Sequence, residues 1–253
     1  MKDQIEYKIY AFDLSKSNTG GSIAYLDKDF NKIEIETYSI EPKYRPYYGA
    51  AHANDCQFIE VQQILAKIKE VLIKDSVKKF IVLENPVYQS FSSELAYYMQ
   101  QSVLSIACEL GIDAIGIPPT TLKKFIAFQY REFFQKDPPK KKKTLDKTEI
   151  KFIYKALKTT QYFEKYKIKN DPNNDDEMDA FFLIDYIISS FNENYMSIWN
   201  SKKVDPDQYR NLSYVPMYAN PFNLLYNIQD DFFTLSDRKF YVTRYIKHIN
   251  FIN

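Results

Sequence analysis

The sequence predicts an α/β fold, a mixed β-sheet flanked by helices, followed by a C-terminal extension whose structure its pattern does not assign. Two observations predict it. Three short apolar runs separated by tight polar turns open the chain, as in an antiparallel meander. From residue 55 onward, helical periods alternate with further short strands, which fits a mixed sheet covered by helices.

The elements follow in order. Tyr7–Phe12 is the first predicted strand, followed by a polar turn through Asn18-Thr19-Gly20-Gly21. Ser22–Leu26 and Lys32–Ser39 are the next two strands, joined by Asp27-Lys28-Asp29. The stretch 41–54, with Pro42 and Pro46, is a loop. Phe58, Val61, Ile64, Leu65, Ile68 and Leu72 then recur at three and four residues, the period of an amphipathic helix. Lys79–Leu83 is a short apolar strand, and Ser93–Leu110 a helix stopped by Gly111, where glycine most easily takes the left-handed terminal conformation. Ile112–Ile117 is a strand ended by Pro118-Pro119, after which Thr120 or Thr121 caps a helix over Leu122–Phe133. Lys136–Lys143 is an exposed loop, Lys147–Leu157 a helix, Lys165–Asn174 a linker and Asp176–Phe191 the closing helix. The chain thus divides into a main domain, 1–192, with a basic insertion at 130–143, and an extension, 193–253.

Composition removes several function classes. At 253 residues and 45% hydrophobic, the chain is long enough for one sizeable core. It has no run of about 18 apolar residues, so no membrane span is expected. The charged start, Met1 to Glu6, lacks the apolar stretch of a signal peptide. Cys56 and Cys108 make neither a zinc spacing nor a disulfide framework and are expected to be ordinary core residues. The expected compartment is the cytoplasm. His52 and His248 are the two histidines, far apart, which argues against histidine-built zinc sites and against a Ser–His–Asp relay. An enzyme with this composition works through carboxylates. The abundant Tyr (22) and Phe (19) would suit base stacking, but a genome rich in A/T codons gives the same excess.

Charge is unevenly placed. From Lys136 to Lys169 there are twelve lysines against four acids, a local +8 in a chain of net +1, which leaves −7 for the rest. A basic zone in a neutral protein is the footprint of a polyanion site. Within it, Lys143, Lys147, Lys151, Lys155 and Lys158 form a stripe at helical spacing next to Lys140, Lys141 and Lys142. A solvated helix face is the plainer account of such a stripe. Beside a carboxylate site it becomes a surface for tracking phosphates.

Four acids stand where chemistry can use them. Asp13 follows the first apolar strand, and Glu84 ends another. Asp176 and Asp179 lie three apart near the start of the last helix, hence on one face. Each has a structural alternative: Asp13 as a turn cap, Glu84 as a strand end, and Asp175-Asp176-Glu177 as acids complementing a helix dipole. Asp179, directly before Ala180-Phe181-Phe182-Leu183-Ile184, should face inward or into a cleft. If the strands are neighbours the four converge, and their repulsion calls for hard divalent cations such as Mg²⁺. Two such ions, roughly 3.5–4 Å apart, activate water and stabilise the leaving oxygen of a phosphodiester.

The order of these segments resembles that of the RuvC-like Holliday junction resolvases. Asp13-Leu14-Ser15-Lys16-Ser17-Asn18-Thr19-Gly20 is similar to their first motif, in a form nearer the phage-type branch. Val82-Leu83-Glu84 resembles the second motif, and Ile117-Pro118-Pro119-Thr120-Thr121-Leu122-Lys123 the strand–Pro–x–x–Val–Lys segment. Asp146-Lys147-Thr148-Glu149-Ile150 resembles the Lys-led helix, and Asp176-Glu177-Met178-Asp179-Ala180 the closing Asp-x-x-Asp-Ala motif. The match runs from about Ile9 to Ile188. It implies an RNase H-like fold and a metal-dependent DNA endonuclease, acting in recombination and repair as a homodimer on four-way junctions. It also implies Asp13, Glu84, Asp176 and Asp179 as ligands of two Mg²⁺ ions, which Mn²⁺ can replace, with Asp175 competing with Asp176. Lys147 joins the catalytic group, and Lys123 and Lys147 the DNA contacts, beside Lys140 to Lys143, Lys151 and Lys155. The insertion and the tail depart from the pattern and bear on substrate preference. RNA–DNA hybrids or flaps are the nearest alternative substrates. A sugar-kinase or actin-like ATPase shares an Asp–Thr–Gly hairpin, but five glycines hardly supply its phosphate loops. A non-catalytic junction-binding protein would gain nothing from four carboxylates near phosphate.

Overall fold

A computed structural model describes residues 5–27, 33–43, 53–85, 93–139 and 144–190. The loop lysines Lys140 to Lys143, both histidines and the extension 193–253 lie outside the described residues. So does the side chain of Cys56; Cys108 is half-buried.

Six strands form one sheet: β1 (Tyr7–Asp13), β2 (Thr19–Leu26), β3 (Ile33–Ile40), β4 (Lys78–Glu84), β5 (Asp113–Ile117) and β6 (Tyr166–Ile168). Their spatial order is β5-β4-β1-β2-β3-β6. The first three strands make the antiparallel meander, while β4 runs parallel to β1, β5 to β4 and β6 to β3. Helices α1 (Ala53–Ile73) and α2 (Ser93–Glu109) cover one face. Helices α3 (Pro119–Phe134), α4 (Lys147–Lys158) and α5 (Asp175–Ser190) cover the other. This is the mixed sheet flanked by helices that the sequence predicts.

Alternation along the central strands decides which side chain goes where. In β1, Ile9 and Ala11 enter the core under α3–α5, while Tyr10 and Phe12 enter the core under α1 and α2. In β4, Phe80 and Val82 take the first side and Ile81 and Leu83 the second. Successive side chains of a strand face opposite ways, so Asp13 and Glu84 both belong to the α5 side. The register pairs Phe12 with Leu83, so the two acids end adjacent parallel strands.

The helices are set by local signals. Helix α4 opens with a capping box: the Asp146 carboxylate accepts the Glu149 N–H, and the Glu149 side chain accepts the Asp146 N–H. Its apolar face buries Ile150, Ile153, Tyr154 and Leu157. Gly111 closes α2 in the left-handed region, at φ 63°. Helix α5 is buried from Glu177 onward, because it lies across the sheet with Phe181, Phe182 and Leu183 fully enclosed.

Four local expectations change. The turn expected through Thr19-Gly20-Gly21 is already strand, paired with Ile40, Ser39 and Tyr38. The expected linker Lys165–Asn174 contains β6, a three-residue edge strand preceded by a 3-10 turn over Gln161–Lys165. Phe58 does not join the buried stripe of α1; it is half exposed and packs on Tyr98 of α2, with ring centroids 5.8 Å apart. The insertion at 130–143 begins as the last turn of α3, which stops at Gln135 in the left-handed region, φ 51°.

Candidate active site

The site is assembled from β1, β4 and α5. Gly20 brings α5 onto the strands. It pairs with Asp13 across the β1–β2 ladder, and a Cβ there would collide with the Asp176 carbonyl and stand 2.6 Å from the Glu177 nitrogen. Glycine alone lets the first turn of α5 settle against the strand that faces Asp13. Before it, Thr19 closes the β1–β2 connection: its Oγ1 donates to the Ser15 carbonyl at 2.9 Å and accepts from the Ser15 N–H at 3.2 Å. The residues of the Thr-Gly pair are therefore structural supports of the acid six positions earlier.

All four predicted acids act electrostatically on one another. Asp13 lies well above the usual carboxylate range, raised by burial, then by the charges of Glu84 and Asp176 and by a hydrogen bond shared with Glu84. Burial and the Asp179 charge push Glu84 up to about 7, against the pull of that hydrogen bond, Lys123 and Lys147. Asp179 is also pushed up to about 7, by burial and then by Asp13, with Lys147 and Lys123 opposing. Asp176 is held by Lys147, whose Nζ donates to its Oδ1 at 3.1 Å. Burial disfavours the Lys147 ammonium, but the bond to Asp176 and the charges of Asp176, Asp13 and Asp179 outweigh it and raise its pKa. Of the two neighbouring aspartates, Asp176 is the one whose charge acts on Asp13.

The lysines divide. Lys123, in the first turn of α3, is close enough to act on Glu84 and Asp179. Lys151 and Lys155 point to solvent from α4, on the same exposed side as Lys147. Lys158 is paired with Asp171, Lys165 with Asp185, and Lys167 and Lys169 with Glu34. Part of the +8 counted in the sequence is thus neutralised locally. The signal for this was absent from the lysine spacing, because the partners come from distant segments.

The donor set fits a hard cation. It consists of carboxylates, contains no sulfur, and concentrates negative charge where protein excludes water. Among the described residues, no three His, Cys, Asp or Glu side chains close around a single ion as they stand. Asp13 and Glu84 share a hydrogen bond and Asp176 turns to Lys147, so the cluster is open. An open set suits Mg²⁺, which usually takes one or two carboxylates, several waters and substrate oxygens.

No protein-family model matches the sequence. A comparison with curated proteins finds no match. Among solved structures, the chain is similar to Thermus thermophilus RuvC in complex with Holliday junction substrate, at 16% identity and TM-score 0.41 over 70% of this chain and 89% of that one. It is similar to the yeast mitochondrial Holliday junction resolvase Ydc2, at 11% identity and TM-score 0.44 over 72% and 78%. It is also similar to fowlpox virus resolvase with substrate Holliday junction DNA, at 13% identity and TM-score 0.35 over 71% and 95%.

Proposed function

We propose that this chain is a divalent-metal-dependent endonuclease that hydrolyses DNA phosphodiester bonds, with four-way junctions as its substrate and a homodimer as its working form. The observation that carries the chemistry is the meeting of Asp13, Glu84, Asp176 and Asp179 on one side of the sheet, each acting on the charge of its neighbours. The choice of junction DNA rests on the motif resemblance, and the dimer on that resemblance and on the need for two cuts per junction.

In this reading the four carboxylates would hold the cations, Mg²⁺ or Mn²⁺. Bound there, the metal supplies an acidified water as nucleophile and offsets charge on the leaving oxygen. The chain's own groups do the rest. Asp13 and Glu84, fixed on neighbouring strand ends, give up their protons when a cation is taken up. Lys147 and Lys123 bring positive charge to the rim and draw the phosphate in. Lys151 and Lys155 extend that attraction along the DNA backbone, where they position without reading sequence.

The test is cleavage of a synthetic four-way junction against linear duplex, RNA–DNA hybrid and flap, with Mg²⁺, Mn²⁺, Ca²⁺ or EDTA. Junction cleavage is expected with Mg²⁺ and Mn²⁺, and binding alone with Ca²⁺. Full activity in EDTA overturns the metal chemistry. Preferred cutting of hybrid or flap overturns the substrate, and binding without cutting under every metal overturns the nuclease. Sedimentation with and without junction checks the dimer.

A further inference from the structure

Glu177 stands between two of the proposed ligands, yet its carboxylate is engaged elsewhere. It is buried at 3% exposure. Its Oε1 accepts from the Ser39 hydroxyl of β3 at 2.5 Å and from Asn174 Nδ2 at 3.1 Å. Its Oε2 accepts from the Asn173 N–H at 2.8 Å. Asn174 completes the ring: its Oδ1 accepts the Glu177 N–H at 2.8 Å, and its Nδ2 donates to Ser39 Oγ at 2.8 Å. Its carbonyl takes the first helical bond, from Met178 at 3.1 Å. Three side chains from β3, the preceding loop and α5 thus close on one another, and both carboxylate oxygens of Glu177 are engaged within this ring.

The ring fixes the turn that carries Asp176 and Asp179. On one side of that turn, Gly20 limits how far α5 can descend on β2. On the other, Glu177 ties it to β3, the next strand of the sheet. With height and lateral position both set, Asp176 and Asp179 are held toward Asp13. A helix begins with unsatisfied N–H groups and an unanchored first turn, so without such a tie the ligands would sit on its most easily displaced part.

We propose that Glu177 is a positioning residue, which through Ser39 and Asn174 sets the spacing between the α5 carboxylates and those of β1 and β4, and is not itself a metal ligand. The inference rests on the carboxylate cluster being a cation site. Groups that orient ligands typically account for 10–100-fold in metal affinity when removed. Glu177→Ala removes three hydrogen bonds, accepted by two oxygens, and frees the turn. Glu177→Gln keeps an oxygen for Asn173 and gains a donor for Ser39 Oγ, so it keeps two of the three contacts, while its amide nitrogen meets that of Asn174.

The experiment is Mn²⁺ binding to the metal-free full chain by calorimetry, alongside the Mg²⁺ concentration giving half-maximal junction cleavage and the melting temperature. For Glu177→Ala, Mn²⁺ binding about tenfold weaker or more is expected, with half-maximal Mg²⁺ raised in step. Cleavage at saturating Mg²⁺ should return to within about threefold of wild type, since the ligands themselves are intact. Glu177→Gln should restore most of the affinity. A lower melting temperature with unchanged Mn²⁺ binding overturns the proposal, because the ring is then merely structural. Glu177→Ala and Glu177→Gln both dead at every Mg²⁺ concentration, as Asp179→Asn should be, overturns it the other way, making Glu177 a ligand. If Glu177→Ala does not fold, Ser39→Ala is measured instead, and unchanged Mn²⁺ binding there overturns the tie to β3. A wild-type protein that binds no Mn²⁺ removes the cation site and this inference with it. One that binds Mn²⁺ but cuts no DNA removes the nuclease and leaves the positioning role to the calorimetry.

Discussion

Of the three buried acids of helix α5, two stand six residues apart, Asp179 at 7% exposure and Asp185 at none, and their surroundings are opposite. Asp185 is saturated. It accepts from Tyr162 Oη at 2.7 Å, Tyr166 Oη at 2.6 Å and Ser189 Oγ at 3.4 Å, with Lys165 Nζ at 3.3 Å. The same lysine lies over both tyrosine rings, 4.3 and 4.6 Å from their centroids. Asp179 instead faces other carboxylates, with two lysines in partial compensation. Burying a charge is costly unless it is paired and hydrogen-bonded. One end of the helix meets that requirement within the fold, and the other leaves it unmet, as the proposed cation site requires. The contrast separates Asp185, held by partners of its own, from Asp179 of the proposed site, which burial alone does not.

The largest expected effect is on cleavage. Asp13→Asn, Glu84→Gln, Asp176→Asn and Asp179→Asn should each lower the single-turnover rate by about a thousandfold or more, as loss of a metal ligand removes several kcal/mol of transition-state stabilisation. Junction binding should persist or tighten, since less negative charge faces the phosphate. Asp185→Asn, on the same helix, should keep near-normal cleavage per folded molecule. Equal losses at both ends would erase the distinction.

Stability should rank the other way. Asp185→Ala strands two tyrosine hydroxyls and should cost about 2–4 kcal/mol in urea unfolding. Asp179→Asn should cost little or even stabilise the metal-free protein. A third measurement sharpens this through pH. Glu84 and Asp179 titrate near 7 in the fold, against ordinary values of 4.5 and 3.8. Between those limits the folded chain holds protons that the unfolded chain has released, so this contribution is complete below about pH 4 and is lost as pH rises through 7. Melting temperature in EDTA should therefore fall from pH 5.5 to 8. Asp179→Asn should flatten that fall and exceed wild type at pH 8 by something on the order of 1–3 kcal/mol. A wild-type curve that rises over this range would mean the cluster is not strained in the metal-free state.

The smallest effect concerns the lysines. Lys151→Gln and Lys155→Gln should each lower the slope of log affinity against log salt by about 0.9 on duplex DNA if they reach phosphates. Lys158→Gln should leave the slope nearly unchanged, because Lys158 is paired with Asp171. Three equal slopes would put the whole face of α4 back to solvated surface.

The sequence made the strand-end acids legible for a simple reason. Asp13 and Glu84 end short apolar runs, and the side-chain period of a strand carries such an acid to a definite face. Asp176 and Asp179 were legible through helical spacing. Asp185 was missed, although a lone acid inside Phe181-Phe182-Leu183-Ile184-Asp185-Tyr186 is itself a signal of a buried polar partner. That partner set, Tyr162 and Tyr166, lies in a segment taken partly for linker, and β6 is too short and too polar to show a period. Gly20 was matched as part of a motif, but its role depends on a contact with α5 more than 150 residues away. Glu177 sat in an acidic triplet with an adequate local explanation, so nothing in the pattern pointed to Ser39. In each case local signals located the acids, while long-range contacts decided what surrounds them.

The two halves of the cluster also belong to parts of the molecule with different resistance to opening. Asp13 and Glu84 end strands at the centre of the sheet, whose hydrogen bonds break only when the whole core comes apart. Asp176 lies in the first turn of a helix and Asp179 at the start of its second, a place that can unwind while the rest of the domain persists. Amides of Ala11 and Val82 are therefore expected to exchange with solvent by global unfolding, and those of Glu177 and Met178 through a smaller local event. Heat or denaturant is accordingly expected to open the site at its α5 side first, while the strands that carry Asp13 and Glu84 are still paired.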